Sequence, residues 1–130
     1  MIEFHLDSRS GVPAYLQLVQ QVRQAIRLGI LRPGDQLPTV KEVVASLTIN
    51  PNTVLHAYRQ LDLEGLVEGR RGVGTFVATT RPALPAADLT GLRSALEQWV
   101  ARARATGLDE DTIAALFAEA VRPDSVSRVA

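Results

Sequence analysis

The sequence has no cysteine and only two histidines, and these absences exclude several kinds of site. A chain without thiols has no disulfide framework, no thiolate zinc site and no cysteine nucleophile. His5 and His56 are too isolated to form a metal site, so we expect no bound metal and no cofactor. There is neither a Gly-Lys-Ser/Thr phosphate loop nor a serine beside a histidine and a carboxylate, and we therefore do not expect an enzyme.

A charge excess and long apolar runs are missing as well. The 14 basic and 14 acidic residues cancel, which counts against a non-specific nucleic-acid coat but not against a specific binder. No apolar run approaches the roughly 18 residues that span a bilayer. Residues 1–7 carry acidic side chains and lack the basic start and apolar stretch of a signal peptide. We expect a cytoplasmic protein of one domain, or of one small domain plus an appendage.

Two periodicities organise the first 30 residues. Apolar residues alternate with polar ones over 2–7, which is typical of a half-buried strand. Apolar residues at steps of three and four then predict a helix that starts at Pro13 and is capped at Gly29. Arg23 and Arg27 lie one turn apart on this helix, where they face either solvent or a phosphate.

Two helix starts follow close together. Thr39 and Glu42 form a capping box that opens a short helix. Asn50 suits the N-cap of a second helix, Pro51 suits its first position, and Gly65 ends it. The apolar positions expected in the core of this second helix are Val54, Leu55, Tyr58, Leu61 and Leu63. Two helices joined by so short a turn indicate a helix-turn-helix.

A β-hairpin with arginines at its tip comes next. Short β-prone runs at 66–68 and 75–77 flank Gly69-Arg70-Arg71-Gly72-Val73-Gly74. Glycine lets the backbone approach a phosphate or a narrow minor groove, where arginine is attracted electrostatically. Helix, turn, helix and hairpin in this order predict a winged helix, which places its second helix in the DNA major groove.

The last third of the chain is predicted to be helical. Residues 79–87 form a proline-containing linker, two helices cover 88–122, and 123–130 is a flexible tail. The apolar stripes of the two helices contain Leu92, Leu96, Trp99, Val100, Ile113, Leu116 and Phe117. Two helices cannot bury these stripes alone, so we expect them to form a dimer interface. An effector pocket is the alternative, but two helices leave little room for a cavity of several hundred Å³.

The predicted fold class is α+β, with a winged helix-turn-helix over 1–78 and a short all-α dimerisation segment. The chain resembles the GntR family of bacterial transcriptional regulators, and its YtrA-like subfamily in particular. The motifs that carry the likeness are Pro13-Ala14-Tyr15-Leu16-Gln17, Gly29-Ile30-Leu31-Arg32-Pro33-Gly34, Leu37-Pro38-Thr39, Ile49-Asn50-Pro51-Asn52-Thr53-Val54, Ala57-Tyr58-Arg59-Gln60-Leu61, Glu64-Gly65-Leu66-Val67 and Gly72-Val73-Gly74-Thr75-Phe76-Val77. The short C-terminal segment also fits that subfamily.

The resemblance implies a homodimer that binds a palindromic operator in double-stranded DNA, usually as a repressor. The residues that it implies as DNA contacts are Thr39, Lys41, Asn50, Asn52, Thr53, Arg71 and Gly72. The family commonly has arginine at the position of Lys41. Lysine lacks the planar fork of arginine, so a bidentate guanine contact there is in doubt while a phosphate contact remains.

The residue types suggest a division of labour. Asn52 and Thr53 are expected to read bases, because asparagine can pair with both the N6 donor and the N7 acceptor of adenine. The wing arginines Arg70 and Arg71 are expected to enter or flank the minor groove. For Asn50, helix capping alone is an equally good explanation.

Two other DNA contacts are proposed, and two wider alternatives remain. His56 and Arg59 are assigned to the DNA-contacting face, although a solvated helix face explains them as well. The whole winged helix is alternatively a protein-interaction module without specific DNA binding. A small-molecule effector is open, and the sequence gives no indication of its identity.

Overall fold

A computed structural model describes residues 2–79 and 86–123, with side chains from 89 onward in the second range. Its elements are α1 (Ala14–Arg27), α2 (Val40–Leu47), α3 (Pro51–Leu63), β1 (Val67–Arg70), β2 (Gly74–Val77), α4 (Ala86–Ala105) and α5 (Glu110–Val121). The chain divides into two compact units, 1–86 and 87–130. The predicted α+β class is confirmed. Most of the predicted linker, and the predicted tail from 124 onward, lie outside the described residues.

Local capping chemistry sets the helix starts of the first unit. Thr39 Oγ1 accepts a hydrogen bond from the Glu42 backbone N–H at 3.1 Å, and the Glu42 carboxylate accepts from the Thr39 N–H at 3.0 Å. Asn50 caps α3 and Pro51 takes its first position, as predicted. The predicted start of α1 was one residue early, because Pro13 is the N-cap and not the first helical residue.

The predicted N-terminal strand was wrong, because residues 2–7 form no strand, although their burial alternates as expected. Ile2, Phe4 and Leu6 do pack against the core while the residues between them are exposed. The backbone of this extended segment, however, is bound by two glutamine side chains of α1. Gln21 accepts from His5 N at 3.1 Å and donates to His5 O at 2.6 Å. Gln17 does the same for the backbone of residue 7, at 2.8 and 3.0 Å. A glutamine amide has both a donor and an acceptor, so it can bind the N–H and the carbonyl of one residue, as a neighbouring strand would.

The core lies where α1, α2 and α3 meet the hairpin. Its largest fully buried side chains are Leu18, Leu37, Leu61, Val19, Val22, Val54 and Val77. Two predicted core positions of α3 were wrong: Leu55 is 41% exposed and Leu63 is 81% exposed. Ala57, which was not predicted, is fully buried instead. Positions 54, 57, 58 and 61 follow the helical repeat of three and four, whereas 55 and 63 fall outside that stripe.

The wing is a two-stranded antiparallel hairpin in which Val67 pairs with Val77 and Arg70 with Gly74. The segment before α2 lies along its second strand. Leu37 N donates to Thr75 O at 2.8 Å, and Val77 N donates to Asp35 O at 2.8 Å. The hairpin is therefore joined by backbone hydrogen bonds to the residues that lead into α2.

The second unit consists of α4 and α5. Its helical segment begins at Ala86, two residues before the predicted boundary. Gly107, with φ of +99°, follows α4. The Asp109 side chain caps α5 by accepting from Thr112 N at 2.8 Å. No helix in residues 2–79 or 86–123 is long and apolar enough to cross a membrane.

Candidate nucleic-acid interface

The N-terminus of α3 presents its short polar side chains in different ways. Asn50 Oδ1 accepts the Asn52 backbone N–H at 2.8 Å, and the Asn50 carbonyl accepts the Thr53 N–H at 3.0 Å. The Asn50 side-chain oxygen is thus engaged in capping. Asn52 is exposed and Thr53 is half-buried. Asn52 is therefore the predicted base reader with the more accessible side chain.

The outer face of α3 is defined by the side chains opposite its buried stripe. Between Asn52 and Arg59, in the first turns of the helix, the exposed side chains of this face are Asn52, Leu55, His56 and Arg59. Of the predicted contacts, Asn52 lies on this face in the first turn of the helix and Arg59 lies about two turns further along it. They combine an amide that can read adenine with a cation that can hold a phosphate.

His56 contacts Tyr15 of α1 from this face. Its ring stacks on Tyr15 with the ring centroids 3.8 Å apart and the planes 12° from parallel. Thr53, His56 and Gln60, at steps of three and four, follow the edge of α3 that adjoins α1. One side of the His56 ring is occupied by this stack, which fixes how the imidazole is presented.

At the C-terminal end of α3, this edge carries an ion pair between Arg23 of α1 and Glu64, the C-cap of α3. Arg23 Nε donates to Glu64 Oε1 at 2.8 Å, a second guanidinium nitrogen binds Oε2, and Gln60 donates to Oε2 at 2.9 Å. The hydrogen bond from Arg23, then that from Gln60, lowers the pKa of Glu64, and the bond to Glu64 raises the pKa of Arg23. Of the two readings left open for Arg23, solvent or phosphate, neither describes its position, because its guanidinium is bound to this carboxylate.

The start of α2 contains the capping box of Thr39 and Glu42 and an exposed lysine. The backbone hydrogen bond from Thr39, followed by that from its side chain, lowers the pKa of Glu42 and keeps this carboxylate charged. Lys41 is exposed in the same first turn. The Thr39 hydroxyl oxygen serves the cap, so any DNA contact from Thr39 has to share that group.

A buried hydrogen bond holds α3 to the start of α2. The Tyr58 hydroxyl donates to the Pro38 carbonyl at 2.5 Å. Burial, followed by the nearby charge of Glu42, raises the pKa of Tyr58, so the phenol remains a donor. This positioning contact was missed at sequence level, where Tyr58 was assigned only as an apolar core residue.

The two wing arginines occupy different places. Arg70 belongs to β1 and not to the tip, and its guanidinium carbon lies 4.2 Å from the centre of the Phe76 ring and its nitrogen 3.5 Å from Glu68. Arg71 is exposed in the turn beside Gly72, whose φ is +74°. The prediction of two arginines at the tip was therefore wrong for Arg70. Its partners are the ring and carboxylate of its own hairpin.

Gln36 anchors the wing turn, and no sequence pattern singled it out. Its Nε2 donates to Val73 O at 3.3 Å. Gly74 has φ of +142°, a backbone conformation that favours glycine, and a Cβ there would lie 2.7 Å from that nitrogen at the end of the Gln36 side chain. Two residues further on, Pro38 accepts from Tyr58. Residues 36–39 therefore connect the wing, α2 and α3.

The sequence model of the family described as "Bacterial regulatory proteins, gntR family" matches residues 14–77. The HTH-type transcriptional repressor YtrA of Bacillus subtilis (strain 168) is 36% identical over 105 residues, which are 80% of this chain and 81% of that protein. The chain belongs to the GntR family. Its members are transcriptional regulators, and this chain is a DNA-binding regulator of that kind.

Two solved structures extend the comparison. YtrA from Sulfolobus acidocaldarius, a GntR-family transcription factor, matches with a TM-score of 0.55 and 29% identity over 78% of this chain and 97% of that one. The AraR DNA-binding domain in complex with operator ORX1 matches with a TM-score of 0.52 and 26% identity, over 59% of this chain and 96% of that one. The GntR winged helix of this chain therefore resembles a domain that has been observed on operator DNA.

Proposed function

We propose that this GntR-family regulator represses transcription by binding an inverted-repeat operator as a homodimer. The outer face of α3 carries the proposal, because Asn52 is exposed there at the capped end of the helix and Arg59 is exposed two turns further along it. The Bacillus subtilis relative is named as a repressor, and the AraR domain is bound to operator DNA, which supports the same role here. Since an operator lies on the chromosome, we place this activity in the cytoplasm.

In the proposed docking, α3 enters the major groove with its N-terminus leading. Asn52 reads a base, most effectively adenine, and the half-buried Thr53 lies beside it near the groove floor. Lys41 and Arg59 hold phosphates on either side. Asn50 and Thr39 act mainly as N-caps, which fix where α3 and α2 begin and so position their first turns against the DNA.

His56 and the wing complete the docking. Stacked on Tyr15, His56 borders the contact and orients α3 against α1. Arg71 reaches the adjacent minor groove from the turn, and Gly72 lets the backbone follow it. Arg70 supports the wing through Phe76 and Glu68.

The second unit supplies the proposed dimer contact. Contrary to the expectation that two helices leave little room for a cavity of several hundred Å³, a cleft of about 390 Å³ lies between α4 and α5. It is lined by Leu96, Trp99, Val100, Arg104, Glu110, Ile113, Ala114 and Phe117. Around it, Leu92, Leu96, Leu116 and Phe117 are exposed apolar side chains, and Phe117 is 48% exposed. Mutual burial of these side chains by two copies removes apolar surface from water, and a two-fold axis then matches an inverted repeat.

Selection of duplexes from a random pool by the purified full chain tests the function. We expect an inverted repeat with half-sites about one helical turn, or a multiple, apart. Asn52→Ala should weaken operator binding by about 1–3 kcal/mol and relax the preference at one position of each half-site. Equal binding of all duplexes, with no steep dependence on salt, would favour the protein-interaction module instead.

A further inference from the structure

Leu55 is an apolar side chain in the middle of the proposed reading face. It lies three residues after Asn52 and four before Arg59, so the three side chains form one row along α3. Leu55 is 41% exposed, whereas Val54 next to it is fully buried. Its side chain is therefore directed outward among polar neighbours, one turn inside the end of the helix that leads into the groove.

The base edges in the major groove offer few favourable contacts to an apolar side chain. Donors and acceptors on the base edges need polar partners, and a leucine set against them leaves them without hydrogen bonds. The C5-methyl group of thymine is the apolar feature on these edges, and it distinguishes thymine from cytosine. Burial of one methyl group against a hydrocarbon side chain corresponds to about a fourfold gain in affinity.

We propose that Leu55 is a specificity-determining residue that packs on a thymine methyl group in each operator half-site. The inference rests on the proposed docking of α3 and deepens it. Asn52 and Leu55, one helical turn apart, then read neighbouring base pairs by different chemistry. The asparagine recognises hydrogen-bonding groups and the leucine recognises a methyl group. The preferred half-site accordingly contains thymine beside the position that Asn52 reads.

Replacement of thymine by deoxyuridine provides the test, because it removes the methyl group and leaves every base-pairing group in place. Thymines of the selected operator are replaced one at a time, and the dissociation constants are measured for the full-length wild type, Leu55→Ala and Leu63→Ala. Leu63 is a matched control, since it is a leucine of the same helix and is 81% exposed. Alanine has the highest helix propensity, so both variants should remain folded, which thermal unfolding checks.

Each half-site should contain one sensitive thymine. Its single replacement by deoxyuridine should weaken the binding of the wild type and of Leu63→Ala about fourfold. Leu55→Ala should bind the thymine operator about sixteenfold more weakly, because both protomers lose the contact, and should bind the thymine and deoxyuridine operators equally at that position. The inference is overturned if Leu55→Ala keeps the wild-type sensitivity, or if no single replacement affects the wild type.

The two failures can be told apart. If the protein selects a specific operator that Asn52→Ala disrupts but deoxyuridine does not weaken, the docking of α3 stands and only the role of Leu55 is lost. If the protein selects no specific operator at all, the proposed function fails and the inference fails with it.

Discussion

The Tyr58 hydroxyl and the Pro38 carbonyl, 20 residues apart in the chain, are joined by a buried hydrogen bond of 2.5 Å. This bond links the middle of α3 to the residue just before the cap of α2. Because Gln36 in the same short segment binds the wing, the relative positions of the wing, the start of α2 and α3 depend on residues 36–39.

Tyr58→Phe should therefore lower the free energy of unfolding by about 1–3 kcal/mol, since it leaves the buried Pro38 carbonyl without its partner. Urea denaturation measures this loss. Burial raises the pKa of Tyr58 above its ordinary 10.0, so the unfolded chain loses this proton first as the pH rises. The stability that the neutral phenol provides is complete below pH 10 and falls above it. We expect the gap between wild type and Tyr58→Phe to narrow above pH 10, and a gap that widened would contradict the assignment.

Substitutions at Asn50 separate capping from base reading. Asn50→Ala should cost about 1 kcal/mol of stability, because the Asn52 N–H loses its acceptor, whereas Asn50→Ser should restore most of it. If Asn50 acts only as a cap, the serine variant also recovers operator affinity in a gel-shift titration. A serine variant that is stable but binds poorly would instead assign Asn50 a direct base contact.

The wing arginine Arg71 should contribute to the salt dependence of DNA binding. Arg71→Ala is expected to weaken binding to many sequences and to flatten the plot of log affinity against log salt by about two units of slope, one for each protomer of the dimer. Arg23→Ala is the matched control, because that guanidinium is already paired with Glu64. Equal slopes for the wild type and Arg71→Ala would place the wing away from the phosphates.

A charge in the cleft of the second unit tests the dimer. Phe117→Glu should shift the protein from dimer to monomer in sedimentation velocity, since it places a carboxylate in the apolar contact. Ser94→Glu adds the same charge to α4 two residues from both Leu92 and Leu96, on the opposite side of the helix, and should leave the dimer intact. A Phe117→Glu protein that remained dimeric would exclude this cleft as the interface.

The starts of α2 and α3 followed directly from the sequence because their capping chemistry is local. The capping box from Thr39 to Glu42 and the cap from Asn50 to Asn52 close hydrogen bonds between residues two or three apart. Gly107 likewise stands where the chain needs a positive φ after α4. Such bonds form wherever these residue types occur at the right spacing, whatever the rest of the fold.

The partners of the polar side chains were decided by the tertiary structure. Arg23 meets Glu64 across 41 residues, and Gln21 binds the backbone of His5 across 16. Leu55 was read as a core residue because leucine is apolar, yet only the packed α3 shows which of its sides the core covers. The sequence thus determined a winged helix with a capped reading helix. Packing alone determined which side chains that helix presents, because burial depends on neighbours that are distant in the chain.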